Sequence, residues 1–263
     1  STVAAYTNGG DKLNMCYTFD LLSPDFSAQH IRGCVEAVEK SIGDGWICWA
    51  FSNHDVMRHV SRFTRAGDDP ARIAKLALCV IATLRGSICL YQGEELGLAE
   101  AELAFEDLRD PYGIRFWPAF KGRDGCRTPM VWEGEQPFAG FSSVKPWLPV
   151  PAAHAEIAVD RQDGVMGSVL SHYRQMLDFR KAHPALVDGE IEFLPTNQDL
   201  LAFTRSRDGN KFLFVFNLTR EPMHFSVPAG LTGLEAVPMP GFNPAFNGTG
   251  IELAGLDAFC GRI

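Results

Sequence analysis

The chain has 263 residues, 46% hydrophobic and 21% charged, which suits one large globular domain or two smaller ones with a substantial core. Its net charge of −8, without a Lys/Arg-rich run, argues against a nucleic-acid surface, and no stretch reaches the ~18 consecutive apolar residues of a membrane helix. The seven cysteines (Cys16, Cys34, Cys48, Cys79, Cys89, Cys126 and Cys260) are odd in number and mostly sit in apolar segments. With no legible signal peptide, that pattern points to reduced thiols in a cytoplasmic protein, not to a disulfide framework.

In chain order, residues 1–6 lead to a turn at Asn8-Gly9-Gly10, and residues 13–22 read as a strand running into a loop. A helix follows from Ser27 as N-cap, with Ile31, Cys34, Val35, Val38 and Ile42 on one face. Residues 46–52 form a short apolar and aromatic run, the pattern of a fully buried strand. The second helix has Asp69 as N-cap and Pro70 at its first position, with Ile73, Leu76, Ala77, Val80, Ile81 and Leu84 inward, and stops at Gly86. Residues 87–91 make a third strand that empties into Gln92-Gly93-Glu94-Glu95-Leu96-Gly97. The β-α-β-α-β order with short links predicts parallel strands and right-handed crossovers.

Regularity breaks over residues 98–167, which are rich in Pro, Gly, Trp and Phe without a period. A third helix runs from Ser168 to about His183, with Val169, Tyr173, Met176, Leu177 and Arg180 along one stripe, and Pro184 stops it. From residue 188 onward, short strand-like runs at 190–194, 200–206, 211–218 and 223–227, with a turn at Asp208-Gly209-Asn210, predict an antiparallel β module. Three parallel strands cannot close an eight-stranded barrel, so the sheet is either small and open or the back portion of a larger domain.

Chemistry concentrates at Asn53-His54-Asp55, an amide, an imidazole and a carboxylate at the C-terminal mouth of the buried strand, where α/β sheets present polar groups. Alone, such a triplet reads more simply as a strand end whose His and Asp cap the next element. No pair of Cys or His is read at a spacing that gathers ligands on a turn or helix face, so neither a metal nor a cofactor is expected.

Five segments occurring in one order resolve the ambiguity. They are residues 9–22, Phe51-Ser52-Asn53-His54-Asp55-Val56-Met57-Arg58, residues 91–97, Gly122-Arg123-Asp124-Gly125-Cys126-Arg127-Thr128-Pro129 with Lys145-Pro146-Trp147 after it, and residues 168–186. Together they resemble strands 6 to 8 and the last helix of the α-amylase family of glycoside hydrolases, in its α-glucosidase and oligo-1,6-glucosidase branch.

The resemblance implies the C-terminal part of a (β/α)8 TIM barrel over 1–187, starting beyond strand 5, and an antiparallel β-sandwich domain over 188–263. Family members attack with an Asp after strand 4 and protonate with a Glu after strand 5, carboxyls ~5–5.5 Å apart in retaining enzymes. Neither motif is found, so the chain is expected to need the N-terminal part of the same enzyme and to hydrolyse nothing alone. Asp55 matches the third family carboxylate, the transition-state stabiliser that binds the 2- and 3-hydroxyls of the glucose. His54 would donate to a neighbouring hydroxyl. Arg123 resembles the arginine that closes the pocket by pairing with an acidic residue near the N-terminus, and is expected to lack that partner here. Arg127 is either a second pocket arginine or an anchor, and Arg58 either binds substrate or positions the loop. Asp20, Glu94 and Glu95 are given no catalytic role.

Val56-Met57 stands where many family members have Gln-Pro, beside the aglycone. The implied function is hydrolysis of terminal α-linked glucose from an oligosaccharide or disaccharide. The alternatives are a transglucosylase or sucrose isomerase of the same family, and a non-catalytic accessory barrel protein, against which the intact Asn-His-Asp and Gly-Arg-Asp argue.

Overall fold

The computed structural model describes residues 2–197 and 199–263. Helices occur at α1 Thr2–Thr7, α2 Ala28–Ile42, α3 His59–Phe63, α4 Pro70–Thr83, α5 Pro111–Phe116, α6 Ala152–Ala155, α7 Val159–Gln162, α8 Val169–Ala182 and α9 Pro184–Val187. Strands are β1 Cys16–Tyr17, β2 Ile47–Trp49, β3 Ser87–Ile88, β4 Glu190–Phe193, β5 Leu200–Arg207, β6 Asn210–Asn217, β7 Met223–Ser226, β8 Glu235–Val237, β9 Ala245–Phe246, β10 Gly250–Leu253 and β11 Asp257–Arg262. Packing divides them into two units: residues 1–50, 75–89 and 174–263, and residues 51–74 and 90–173.

The first unit holds the parallel sheet β1-β2-β3, with Cys16 opposite Ile47 and Trp49 opposite Ile88. β2 is buried along its whole length, as parallel strands covered on both faces are. The strand expected over 13–22 shortens to Cys16–Tyr17, because the chain turns into a 3-10 segment at Asp20–Leu22. The Ser27 hydroxyl caps α2 by accepting from the His30 N–H at 3.2 Å, and Ile31, Val35 and Ile42 are buried on its inner face. Gly86 takes φ +119°, and a Cβ there would lie 2.8 Å from the Ile47 carbonyl oxygen. Only glycine lets the chain enter β3 this close to β2.

The same unit contains the β module, all antiparallel: a five-stranded sheet β4-β5-β6-β11-β8 and a three-stranded sheet β7-β10-β9. Leu200, Ala202, Leu213, Val215, Phe225, Ile251, Leu253 and Phe259 share one core. Asp208 and Gly209 both have positive φ, 49° and 78°, so β5 and β6 join through a two-residue turn whose twist matches the strands. The opposite face of β5 and β6 carries the stacked rings of Phe212, Phe214 and Phe216 with Phe203 tilted against them, and Phe179 of α8 and His183, just before α9, stand edge-on against Phe212.

Two buried arginines finish this unit. Arg180 donates to the carbonyls of Ala82, Leu84, Gly86 and Leu186. Arg205 of β5 donates to those of Thr83, Leu186 and Gly189, with a longer bond to Glu190. Ala82, Thr83 and Leu84 lie at the C-terminal end of α4, whose last carbonyls have no partner within the helix. Arginine side chains distant in sequence therefore do the work of a C-cap. Burial lowers the pKa of Arg180 to about 10; burial and then the neighbouring Arg180 charge lower that of Arg205 to about 9.

The second unit is built mostly of short pieces. Leu96, Leu98, Val131, Ala139, Ala158 and Leu170 form one core, and Ala101, Leu103, Leu108 and Leu148 another. Gln162 joins the first of these by donating to the Leu96 and Ile157 carbonyls and accepting from the Leu170 N–H. The stretch 98–167 is thus ordered around its own apolar clusters, in helices too short to show a period. Packing also groups the chain differently from sequence order: the parallel strands and the β module share one unit, while both pocket motifs lie in the other.

Candidate active site

The candidate site lies in the second unit. The chain leaves Phe51 and Ser52 as a pinned loop. The Phe51 carbonyl accepts from Arg62 Nη2, the Met57 carbonyl from Arg62 Nη1 at 2.7 Å, and the Ser52 hydroxyl from the His59 N–H at 2.9 Å. Asn53 Oδ1 accepts the Asp55 N–H at 2.8 Å, an Asx turn that fixes the carboxylate's backbone.

Asp55 Oδ1 then accepts from Arg123 Nη1 and Arg127 Nη2, both at 3.0 Å. His54 Nε2 stands 3.3 Å from Asp55 Oδ2, and Arg127 Nε donates to the His54 carbonyl at 2.7 Å. The Asp55 side chain remains 46% exposed. Oδ1 is engaged by two guanidiniums, while Oδ2 is approached by His54 alone and keeps room for further donors. A carboxylate held this way is a fixed acceptor of hydrogen bonds more than a free nucleophile.

Arg123 is not short of a partner, which overturns the expectation of an unpaired fork. Asp110 Oδ2 accepts from Arg123 Nε at 2.8 Å and from its backbone N–H at 2.9 Å, while Oδ1 accepts from Nη2 at 3.2 Å. Asp110 is also the N-cap of α5, accepting from the Tyr112 N–H at 3.1 Å. The Arg123 hydrogen bonds hold its carboxyl down to about pH 2 in pKa. Asp124, fully buried, supports it from behind: Oδ2 accepts the N–H groups of Arg109 and Asp110 at 2.6 and 2.7 Å. The sequence carried a signal for Asp110, since Asp110-Pro111 repeats the cap-and-proline pattern of Asp69-Pro70. No apolar periodicity follows Asp110-Pro111 to mark a helix.

Four of the five residues singled out from sequence, His54, Asp55, Arg123 and Arg127, are therefore brought together. Arg58 differs. It is 2% exposed, donates through Nη1 to the Gln92 carbonyl at 2.6 Å, and lies over the Tyr91 ring at 5.5 Å. Its N–H is held by Glu100 Oε2 at 2.9 Å. That geometry supports the loop-positioning alternative. Glu94 is buried, 3.6 Å from His59 Nδ1, and Glu95 Oε2 accepts the Gly93 N–H. In the first unit, Asp20 is held by the Thr18 hydroxyl.

A cavity of about 390 Å³ opens beside the pair, lined among others by Asp55, Val56, Met57, Glu100, Leu103 and Arg123. No group of three or more His, Cys, Asp or Glu residues suited to a metal occurs among the described residues. One pair departs from the expected absence of a ligand-gathering spacing. His30 and Cys34 lie one turn apart on α2 in the first unit, with Sγ 3.7 Å from Nε2. Burial, then Asp20 and Asp25, push the Cys34 thiol's pKa up.

Behind the cluster, His154 is 3% exposed; Nε2 meets the Ala99 carbonyl at 2.9 Å and Nδ1 the Thr128 hydroxyl at 3.4 Å. Those partners fit a neutral ring that donates from Nε2. Burial lowers its pKa from 6.5 to about 4, against the Ala99 hydrogen bond. Between these values the unfolded chain binds a proton that the folded chain refuses, so stability falls as pH drops from 6.5 towards 4. At about 1.4 kcal/mol per unit, the loss is roughly 3 kcal/mol. Urea unfolding at pH 6.5 and 4.5 should show the decline, and His154→Gln should flatten it; an equal slope in both proteins would refute the assignment.

The profile of the alpha-amylase catalytic domain matches residues 3–189. A probable alpha-glucosidase of Rhizobium meliloti (strain 1021) is 49% identical over 259 residues, covering 98% of this chain and 46% of the relative. An oligo-1,6-glucosidase of Heyndrickxia coagulans is 29% identical, covering 86% of the chain and 47% of the relative. Among solved structures, an alpha-glucosyl transfer enzyme superposes with a TM-score of 0.92 at 48% identity, over 99% of this chain and 48% of that one. The chain thus spans about half the length of the relatives it matches.

Proposed function

The chain belongs to the α-amylase family, and from that premise we propose that it is the C-terminal portion of a retaining α-glucosidase acting on terminal α-linked glucose. The observation that carries the proposal is the exposed Asp55 carboxylate, fixed by Arg123 and Arg127 beside His54 at the edge of a cavity. In this reading residues 1–187 are barrel and 188–263 the appended β domain. Asp55 accepts the 2- and 3-hydroxyls of the glucose, bonds that tighten as the ring flattens towards the oxocarbenium ion. His54 donates to an adjacent hydroxyl, and Arg123 and Arg127 close the pocket floor. Arg58 holds the loop.

The nucleophile and general acid come from the N-terminal part of the same enzyme, so the 263 residues alone are inactive. No disulfide joins the seven cysteines among the described residues, which suits a cytoplasmic protein. A second reading, transfer of the glucosyl group to a sugar instead of water, is favoured by the 48% identity to an alpha-glucosyl transfer enzyme and by Val56 and Met57 lining the cavity.

The test has two parts. This chain is assayed alone with p-nitrophenyl α-glucoside, and the full-length enzyme carrying it is incubated with maltose and with sucrose. The expected results are no release of nitrophenol by the chain, and free glucose as the main product of the enzyme. Turnover by the chain alone would overturn the division of catalytic groups. Longer or rearranged saccharides as main products would replace hydrolysis by transfer.

A further inference from the structure

We propose that Asp110 is a positioning residue for the glucose pocket, restricting Arg123 to a single hydrogen bond with Asp55 so that the other carboxylate oxygen stays open to sugar hydroxyls. The inference rests on the role given to Asp55 above. A guanidinium prefers to meet a carboxylate with a fork of two parallel N–H bonds. Here that fork, Nε and Nη2, is taken by Asp110 at 2.8 and 3.2 Å. Only Nη1 is left for Asp55, and it reaches Oδ1 alone. Were the fork released, it would be free to turn onto Asp55 and occupy both oxygens.

Asp110 is built for that constraint. It is 3% exposed and cannot swing away, since its N–H is held by Asp124 and its Oδ1 also caps α5. The helix it caps sits directly on the segment leading to Arg123. A Cβ at Gly113 would lie 2.6 Å from the Lys121 carbonyl oxygen, and one at Gly122 2.9 Å from the Gly113 Cα. Two glycines thus bring the carboxylate and the guanidinium to one short span of chain. The charges also balance: Asp55 and Asp110 face Arg123 and Arg127.

The experiment is a double-mutant cycle in the full-length enzyme, read as kcat and KM for p-nitrophenyl α-glucoside. Asp110→Asn is expected to raise KM at least about tenfold with a smaller loss in kcat, because the freed arginine competes with bound sugar for Asp55. In an Arg123→Ala background the same substitution should change kcat/KM less than about twofold, the sign of a residue acting only through its neighbour. Asp110→Glu, which keeps the charge, should recover most of the KM. Effects of Asp110→Asn and Arg123→Ala that multiply, with KM unmoved, would assign Asp110 to folding alone and overturn the proposal. Circular dichroism checks each variant; if Asp110→Asn does not fold, Asp110→Ser, which still caps α5, takes its place. Asp55→Asn is measured alongside. If it retains full activity the reading of the pocket fails, whereas if it is inactive and the cycle is additive only the role of Asp110 fails.

Discussion

Asp55→Asn in the full-length enzyme is expected to lower kcat/KM by on the order of 10³-fold, the scale of losing one preorganised polar partner of a transition state. The larger share should fall on kcat. In the role proposed for Asp55, hydrogen bonds from the sugar 2-hydroxyl gain strength only as positive charge develops at the anomeric centre, so their loss is felt at the barrier more than in ground-state binding. Asparagine keeps the shape and one acceptor but loses the charge that holds both Arg123 Nη1 and Arg127 Nη2 at 3.0 Å. Two cations would then face a neutral amide, and the pocket floor loosens as well. Steady-state kinetics on p-nitrophenyl α-glucoside reads this directly. A variant within tenfold of the parent, or one whose loss lies wholly in KM, would remove Asp55 from the catalytic centre.

The second large effect is on stability. Arg205→Ala is expected to destabilise the fold by about 3 kcal/mol, equivalent to roughly 6 °C in Tm for a chain of this size. Two effects oppose each other. Removing a buried cation recovers its desolvation penalty, which is evident in the lowered pKa of Arg205. Against this, the carbonyls of Thr83 and Gly189 lose a charged donor inside the protein, and alanine leaves a space where the guanidinium was. Leu186 keeps a donor in Arg180 at 2.7 Å, so its loss counts for little. Orphaned carbonyls and the cavity should together win. Arg205→Met, which fills the space and removes the charge, should cost clearly less. Thermal unfolding of the three proteins decides, and an unchanged midpoint for the alanine variant would show that water satisfies these carbonyls.

Local rules were the legible part of this fold. Ser27, Asp69-Pro70 and Asp208-Gly209 act on backbone atoms only a few residues away, and the structure puts a cap, a cap and a turn where they stand. The parallel strands were readable as apolar runs, though they pair over only two or three residues each. β8 to β10 span three, two and four residues, too short to alternate visibly. β11 is buried at every position except Arg262, so it shows no alternation to detect. The pocket divides the same way. Asn53-His54-Asp55 and Gly122-Arg123 were found as contiguous motifs. Asp110 lies 13 residues before Arg123 and was missed, since only the close approach at Gly113 and Gly122 brings the two together. Family likeness points to a partner for Arg123 near the enzyme's N-terminus, and Asp110 supplies one within this chain.

The arginine caps of α4 also have a consequence in time. The Thr83 carbonyl waits for a donor 122 residues further along, and that of Ala82 for one 98 residues further along. A ribosome therefore releases the helix long before it releases the groups that finish its end. In the interval water must serve those carbonyls, and the helix end frays. Arrival of β5 closes it in one step and joins the β module to the earlier helices. Completion of this unit is accordingly coupled to the synthesis of β5, however early its parallel strands emerge.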